Sequence, residues 1–250
     1  MPMWVQAGLW GLVGGSALVL GAAAAWLISL PQRAIAAVMA VGSGVLISAV
    51  AFDLMDEAYR QGGFDSTSAG FLAGGAIYTA ANIYLSRRGA KHRKRSGSNP
   101  AQSQAGDGGL AIAVGALLDG VPESIVIGVS LLQGKGVSLV TVAAVFLSNM
   151  PEGLSSAAGM KKAGRGALYV FGVWGGIALT SGLAAALGNV ALAGANPEII
   201  AATTAVAAGA ILAMLADTMI PEAFETAHDY AGLITVAGFL AAFVLSKLGG

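Results

Sequence analysis

The sequence predicts an all-α polytopic membrane protein, with eight transmembrane helices in a 3+2+3 arrangement that contains inverted repeats. Composition is the first observation: 56% of the 250 residues are hydrophobic and 10% are charged, whereas a soluble domain carries about 25% charged residues. Such a chain cannot cover its surface with polar groups, so its solvent must be lipid. The other two observations are a series of apolar runs of bilayer length and a proline–glutamate pair inside two of these runs.

The apolar runs predict eight spanning helices, because about 20 apolar residues match the hydrocarbon core of a bilayer. Three runs precede a polar segment at 88–108, which we expect to be a flexible cytoplasmic loop. The next two runs carry the proline–glutamate pairs, and three more runs follow. In chain order the predicted helices cover residues 7–29, 33–58, 68–87, 109–132, 136–160, 166–189, 198–224 and 229–248.

The distribution of basic residues predicts the orientation. With eight spans, ten of the 13 Lys and Arg residues fall in loops on one side of the membrane. Basic residues concentrate in cytoplasmic loops, so both termini of this multi-pass cell-membrane protein are expected outside. The cytoplasmic set is Arg33, Arg87, Arg88, Lys91, Arg93, Lys94, Arg95, Lys161, Lys162 and Arg165, which leaves Arg60, Lys135 and Lys247 outside.

Two segments of the chain resemble each other. The stretch from Gly44 to Ala58 is similar to the stretch from Gly209 to Ala223, at an offset of 165 positions. Helices 1–3 and 6–8 are therefore predicted to be two copies of one unit, and the eight-span topology makes them inverted. Inverted repeats around interrupted central helices are typical of secondary transporters.

Helix 4 places two acids on one face. Asp119 and Glu123 are four residues apart, which brings their side chains together on a helix. Between them, Pro122 cannot donate to the backbone ladder and crowds the carbonyl of Leu118, so it kinks the helix. Acids at this depth are costly and usually mark a pathway or a site.

Helix 5 repeats the pattern. Ser148 and Glu152 are again four residues apart, Asn149 precedes Glu152 by three, and Pro151 interrupts the ladder. If the two helices pack face to face, these groups join the acids of helix 4 in one volume. Three carboxylates that close cannot all stay ionised without a cation, so we expect a divalent metal site. Incidental kinks with packing residues are the alternative, which the doubling of the pattern disfavours.

At these residues the chain resembles the ZIP (Zrt-, Irt-like protein) family of divalent-metal transporters. The family signatures are similar to His-Asn-x-Pro-Glu-Gly in helix 4 and His-x-x-Pro-Glu-Gly in helix 5. The resemblance covers essentially the whole chain and includes the segment 52–58. It implies eight spans, both termini outside, a variable loop after helix 3, metal transport into the cytoplasm, and a site between helices 4 and 5.

The chain departs from the family at the histidines. Asp119-Gly120 stands in place of His-Asn, and Ser148 stands in place of the helix 5 histidine. What carries over is Glu123 and Glu152, with a polar residue at Asn149. Because Gly120 has no side chain, one bound ion is expected rather than two.

The ligand set determines which metals are expected. All its ligands are oxygens, whereas Zn²⁺ favours nitrogen and sulfur, so Mn²⁺ or Fe²⁺ is preferred over Zn²⁺. The metal is the transported substrate, and no resident cofactor is expected. With no cysteine in the chain, thiolate sites and disulfides are excluded.

Other properties are predicted less directly. Asp53 is expected to line an outer mouth of the pathway and Asp217 an inner exit, although a membrane-interface position is an equal alternative for Asp53. The partners expected are the metal ion and the lipid bilayer, with a homodimer left open and no nucleic acid. An enzyme is not predicted, because neither histidine lies at depth to serve as a base. A metal-binding channel-like or regulatory membrane protein and an organic-cation transporter remain as alternatives.

Overall fold

The computed structural model describes residues 1–87, 108–133 and 136–249, and within these residues the chain is helical with no β-strand. This confirms the all-α prediction. The predicted loop at 88–108 lies outside the described residues except for Gly108, which begins a helix. In chain order the helices are α1 (Met3–Leu27), α2 (Gln32–Ala49), α3 (Met55–Leu85), α4 (Gly108–Ser130), α5 (Leu139–Lys162), α6 (Ala167–Leu192), α7 (Pro197–Met214), α8 (Ile220–Ala227) and α9 (Ala231–Gly249).

Within the described ranges, five continuous helical stretches are long and apolar enough to cross a membrane. Their outward faces carry large apolar side chains that are mostly exposed, as at Leu187 on α6 and Leu233 on α9. Such faces are compatible with a membrane-embedded protein. The five stretches are Met3–Leu27, Gln32–Leu85, Ala167–Leu192, Pro197–Glu225 and His228–Leu248.

The longest stretch breaks at Gly63. This residue has φ 70° and ψ −171°, a conformation that only glycine adopts without strain, while the residues on both sides are helical. A connection was predicted over residues 59–67, and the structure reduces it to this single residue. The 54 residues of Gln32–Leu85 are therefore two helices rather than one.

The helices fall into two groups by their packing. α1 packs on α5 and α6, and α6 packs on α4, whereas α3 packs on α7 and α2 packs on α9. We call the set α1, α4, α5 and α6 the site group, and the set α2, α3, α7, α8 and α9 the flanking group. α2 against α5 and α4 against α7 are the main contacts between the groups.

Glycines bring the helices of each group into backbone contact. In the site group, a Cβ on Gly153 would collide with the Leu18 carbonyl. In the flanking group, a Cβ on Gly74 would collide with the Val206 carbonyl. Packing through such small residues is how membrane helices associate when lipid supplies no hydrophobic drive.

Two π-helical turns interrupt the flanking group. One covers Val50–Leu54 between α2 and α3, and the other covers Leu215–Met219 between α7 and α8. They lie 165 positions apart, which is the offset of the sequence repeat, and each contains one aspartate. Gly44 before the first turn packs on the α9 backbone, and Gly209 before the second packs on the α3 backbone. The two similar sequences therefore have the same local geometry.

Candidate functional site

The polar residues predicted from the two proline-interrupted helices are all buried. Asp119 and Glu123 on α4 are 1% and 2% exposed, and Glu152 on α5 is 4% exposed. Ser148 and Asn149 on α5 are buried as well. Carboxylates are almost never this deeply buried unless hydrogen bonds or ions compensate the loss of water.

On α4, Asp119 has a partner that the sequence did not indicate. The hydroxyl of Tyr78, on α3, donates a hydrogen bond of 2.6 Å to Asp119 Oδ1. Both side chains are fully buried, and the bond joins residues 41 positions apart. One tyrosine in an apolar helix has no spacing or motif that links it to an acid on another helix, so no sequence signal could have found it.

One side-chain contact between α4 and α5 in this region joins Ser148 to Glu123. Ser148 Oγ lies 2.9 Å from the Val145 carbonyl oxygen and 3.5 Å from Glu123 Oε1. A hydroxyl has one proton, and the shorter contact is the better hydrogen bond. Donation to Val145 leaves lone pairs of Ser148 facing Glu123, so the two oxygens form a pair that a cation can bridge.

Asn149 takes part in helix packing. Its side-chain Nδ2 donates to the Gly14 carbonyl on α1 over 3.1 Å, deep in the site group. A similar bond of 3.0 Å runs from Asn189 on α6 to the Gly128 carbonyl on α4. A role of Asn149 as a metal ligand stays a prediction that has to coexist with this contact.

Among the side chains of the described residues, no three His, Cys, Asp or Glu are placed so that they could hold a metal ion together. Asp119 is engaged by Tyr78, and Glu123 lies near Ser148. The arrangement therefore brings Glu123 and Ser148 together, and a shared site with Asp119 and Glu152 stays a prediction.

Neither a family model nor a curated protein sequence matches this chain. Membership of the ZIP family therefore stays a prediction from the residues quoted above. The structure shows that Glu123 and Glu152 are buried inside a bundle whose outer faces are apolar. An acid that faced lipid would stay unsolvated, whereas an acid inside the bundle has polar neighbours.

A cavity of about 350 Å³ opens at the end of the bundle where α4 ends and α5 begins. Asp53 lines it, as do Asp56, Glu57, Arg60 and Lys247, so it contains three acids and two bases. Hydroxyl-bearing and apolar residues of several other segments complete the wall. The remaining lining residues are Phe52, Leu54, Val126, Val129, Ser130, Gly136, Val137, Ser138, Thr141, Thr204 and Ser246.

Asp53 and Asp217 have related surroundings. Ser246 on α9 donates to Asp53 Oδ1 over 2.9 Å, and Asn82 on α3 donates to Asp217 Oδ2 over 3.1 Å. Each aspartate lies in a π turn, and each partner belongs to the helix that packs beside it. Asp53 is half-buried and faces the cavity, whereas Asp217 is exposed on the surface of the described bundle.

A second hydroxyl–carboxylate contact joins the helix groups. Ser155 on α5 donates to Glu222, which lies on α8 in the flanking group, and both side chains are buried. In the sequence, Glu222 lies near Glu225, His228 and Asp229, a pattern that fits an exposed helix end and a cluster that collects departing metal equally well. The signal for its burial was Pro221 directly before it, which repeats the proline–glutamate order of the two central helices.

Proposed function

We propose that this chain is a ZIP-type transporter that moves a divalent metal cation into the cytoplasm through a carboxylate site between α4 and α5. The observation that carries the proposal is the burial of Glu123 and Glu152, one on each proline-interrupted helix. Buried carboxylates in a bundle with an apolar exterior are compensated by hydrogen bonds, by protons or by a cation, and one divalent cation can serve two of them at once.

The proposed architecture is eight spans in a 3+2+3 order with two inverted copies. Under it, α4 and α5 cross the membrane between the copies, and the helix break at Gly63 separates the second span from the third. The paired π turns and the matching Asp53–Ser246 and Asp217–Asn82 contacts support two related units. The charge distribution of the loops supports both termini outside, in the cell membrane.

The proposed ligands are Asp119, Glu123 and Glu152, with Ser148 beside Glu123. No such ligand group is assembled among the described side chains, so the acids must approach one another when the cation binds. A shift of α5 against α4 inside the site group supplies such a change, because these two helices contact each other at few positions. Movement of the site group against the flanking group is a separate step, by which transporters with inverted repeats alternate access. The cavity that Asp53 lines then serves as the outer mouth of the pathway.

The ligand chemistry predicts the preferred metal. Carboxylate and hydroxyl oxygens suit Mn²⁺, whereas Zn²⁺ gains most from imidazole and thiolate. In proteoliposomes of the purified chain we expect saturable Mn²⁺ uptake, which an equal concentration of Zn²⁺ inhibits only weakly. Uptake can be followed with an internal Mn²⁺-quenched dye, and protein-free liposomes are the control.

Other outcomes would change the proposal. Uptake that rises linearly without saturation would favour the channel-like alternative, and binding without uptake would favour a regulatory protein. Stronger binding of Zn²⁺ than of Mn²⁺ would end the argument from oxygen ligands. No metal-dependent signal at all in correctly folded protein would refute transport of divalent cations.

A substitution in the cavity is expected to have a smaller effect on Mn²⁺ uptake. Asp53→Asn removes one negative charge from the outer mouth, so KM for Mn²⁺ should rise about threefold at low ionic strength, where charge steering is strong. The difference should shrink as salt is raised from about 0.01 M to about 0.1 M, because the Debye length falls from about 30 Å to about 10 Å. The measurement is the initial uptake rate against Mn²⁺ concentration.

Asp65→Asn is the matched control for this change. Asp65 is exposed, lies two residues after the helix break at Gly63 and does not line the cavity. The same loss of charge at Asp65 should therefore leave KM unchanged. An equal rise of KM in both variants would show a general surface effect, and Asp53 would lose its role in the pathway.

A further inference from the structure

A hydrogen bond from the flanking group ends on one of the proposed ligands. Tyr78 Oη lies 2.6 Å from Asp119 Oδ1, a distance typical of the strong hydrogen bonds that hydroxyl groups donate to carboxylates. Tyr78 is one of the largest fully buried side chains, and it lies in an apolar cluster with residues of α2, α4 and α7. In such surroundings the bond is stronger than in water, and losing it leaves a charged group poorly solvated.

The bond also crosses between the two helix groups. α3, which carries Tyr78, packs mainly on α7, and α4, which carries Asp119, packs mainly on α6. The phenol therefore connects a helix without a proline–glutamate pair to an acid of the proposed site. Any displacement of one group against the other changes this distance, so the orientation of the Asp119 carboxylate depends on the position of α3.

We propose that Tyr78 is a positioning residue for the cation: its hydroxyl holds the Asp119 carboxylate in the orientation in which it binds the metal. This inference rests on the proposed function. A carboxylate has acceptor capacity for about four contacts, so Asp119 can keep the phenol while it binds an ion. Groups that hydrogen-bond a ligand from outside orient it in this way, and their loss weakens metal binding.

A purely structural role for the phenol has a different consequence. A buried tyrosine needs an acceptor for its hydroxyl, and a carboxylate serves that need as well as a carbonyl does. Losing the bond would then reduce the amount of folded protein, which lowers the maximal uptake rate per vesicle. It would leave the KM of the remaining folded protein unchanged, so KM separates the two explanations.

The test compares Tyr78→Phe with wild type in Mn²⁺ uptake by proteoliposomes. The change removes one oxygen atom and keeps the ring, and we expect KM to rise about tenfold, within the range seen when outer partners of ligands are lost. The maximal rate, corrected for folded protein, should change much less. Tyr84→Phe is the control on the same helix, since Tyr84 is 59% exposed, and it should leave KM unchanged.

A double-mutant cycle shows whether Tyr78 acts through Asp119. Because Asp119→Asn weakens a proposed ligand, uptake in this background is measured at Mn²⁺ concentrations raised about 100-fold, and there adding Tyr78→Phe should give no further rise of KM. An unchanged KM in Tyr78→Phe, or the same rise with and without Asp119, would overturn the inference. Either result leaves wild-type uptake intact, so it would not refute the proposed function.

A second double-mutant cycle uses the thermal unfolding midpoint measured without metal. It tests the Tyr78–Asp119 contact even if the protein does not transport Mn²⁺. If wild type showed no response to Mn²⁺, the proposed function would fail first, and with it the role of Tyr78 in cation binding. The contact itself would still be tested, because the unfolding midpoint of the double variant should lie no lower than that of the more destabilised single variant. Additive losses would mean that Tyr78 does not hold Asp119.

Discussion

Replacing Glu123 or Glu152 by Gln is expected to abolish Mn²⁺ uptake while the protein remains folded. Both side chains are buried on the two proline-interrupted helices, and the amide keeps the volume while removing the charge that binds the cation. Loss of an outer partner of a ligand costs about 10- to 100-fold in affinity, so loss of a ligand should reduce uptake by about 100-fold or more. The measurement is the initial uptake rate in proteoliposomes with equal amounts of folded protein.

A stability measurement and a control variant separate a loss of transport from a loss of folded protein. In the absence of metal, Glu123→Gln and Glu152→Gln should leave the unfolding midpoint unchanged or raise it. The reason is that folding of these variants no longer buries a carboxylate charge. Glu198→Gln, at the exposed start of α7, makes the same chemical change and should transport normally. Uptake at the wild-type rate by both site variants would remove these acids from the transport pathway.

Replacing Gly153 by Ala is expected to destabilise the protein strongly, although it adds only one carbon atom. Its Cβ would fall on the Leu18 carbonyl, where backbone on both sides leaves no flexible side chain to move aside. Overpacking of this kind costs about 1–3 kcal/mol, and the required separation of α1 from α5 also displaces Glu152, the residue directly before. We expect a lower unfolding midpoint in detergent together with weaker Mn²⁺ binding.

Gly172 on α6 provides the comparison. A Cβ there would meet no atom within 4 Å in the described chain, although its spacing to Gly176 resembles a packing motif. Gly172→Ala should therefore leave stability unchanged or raise it by up to about 1 kcal/mol, because alanine is the better helix former. If both alanines destabilised the protein equally, Gly172 would have to pack against a second copy of the chain.

The sequence predicted the all-helical fold because long apolar runs have few alternatives in lipid, where backbone groups must bond within their own segment. It also predicted the burial of Asp119, Glu123 and Glu152, because an acid in such a run has to avoid lipid. Whether these acids share one site depends on the distances between side chains on different helices. Neither the four-residue spacing nor the prolines determine those distances.

Other features depend on contacts distant in sequence. Tyr78 meets Asp119 only because α3 and α4 come together, and no local pattern specifies that meeting. Glu222 is buried and bonded to Ser155 on α5, whereas its charged neighbours in the sequence fit an exposed helix end and a metal-collecting cluster equally well. At Gly63, one residue with positive φ replaces a predicted nine-residue connection, and glycine next to glycine in the sequence does not reveal which one turns the chain.

The π turn at Val50–Leu54 has a consequence for protein engineering. A π turn contains one more residue than an α-helical turn, so all side chains after it are rotated by roughly 100° relative to a regular helix. A helical wheel drawn straight through Ala49 and Met55 therefore assigns the acids at 53, 56 and 57 to the wrong faces. Deleting one residue inside this turn would restore the regular phase and turn the carboxylates of Asp56 and Glu57 away from the cavity that they line.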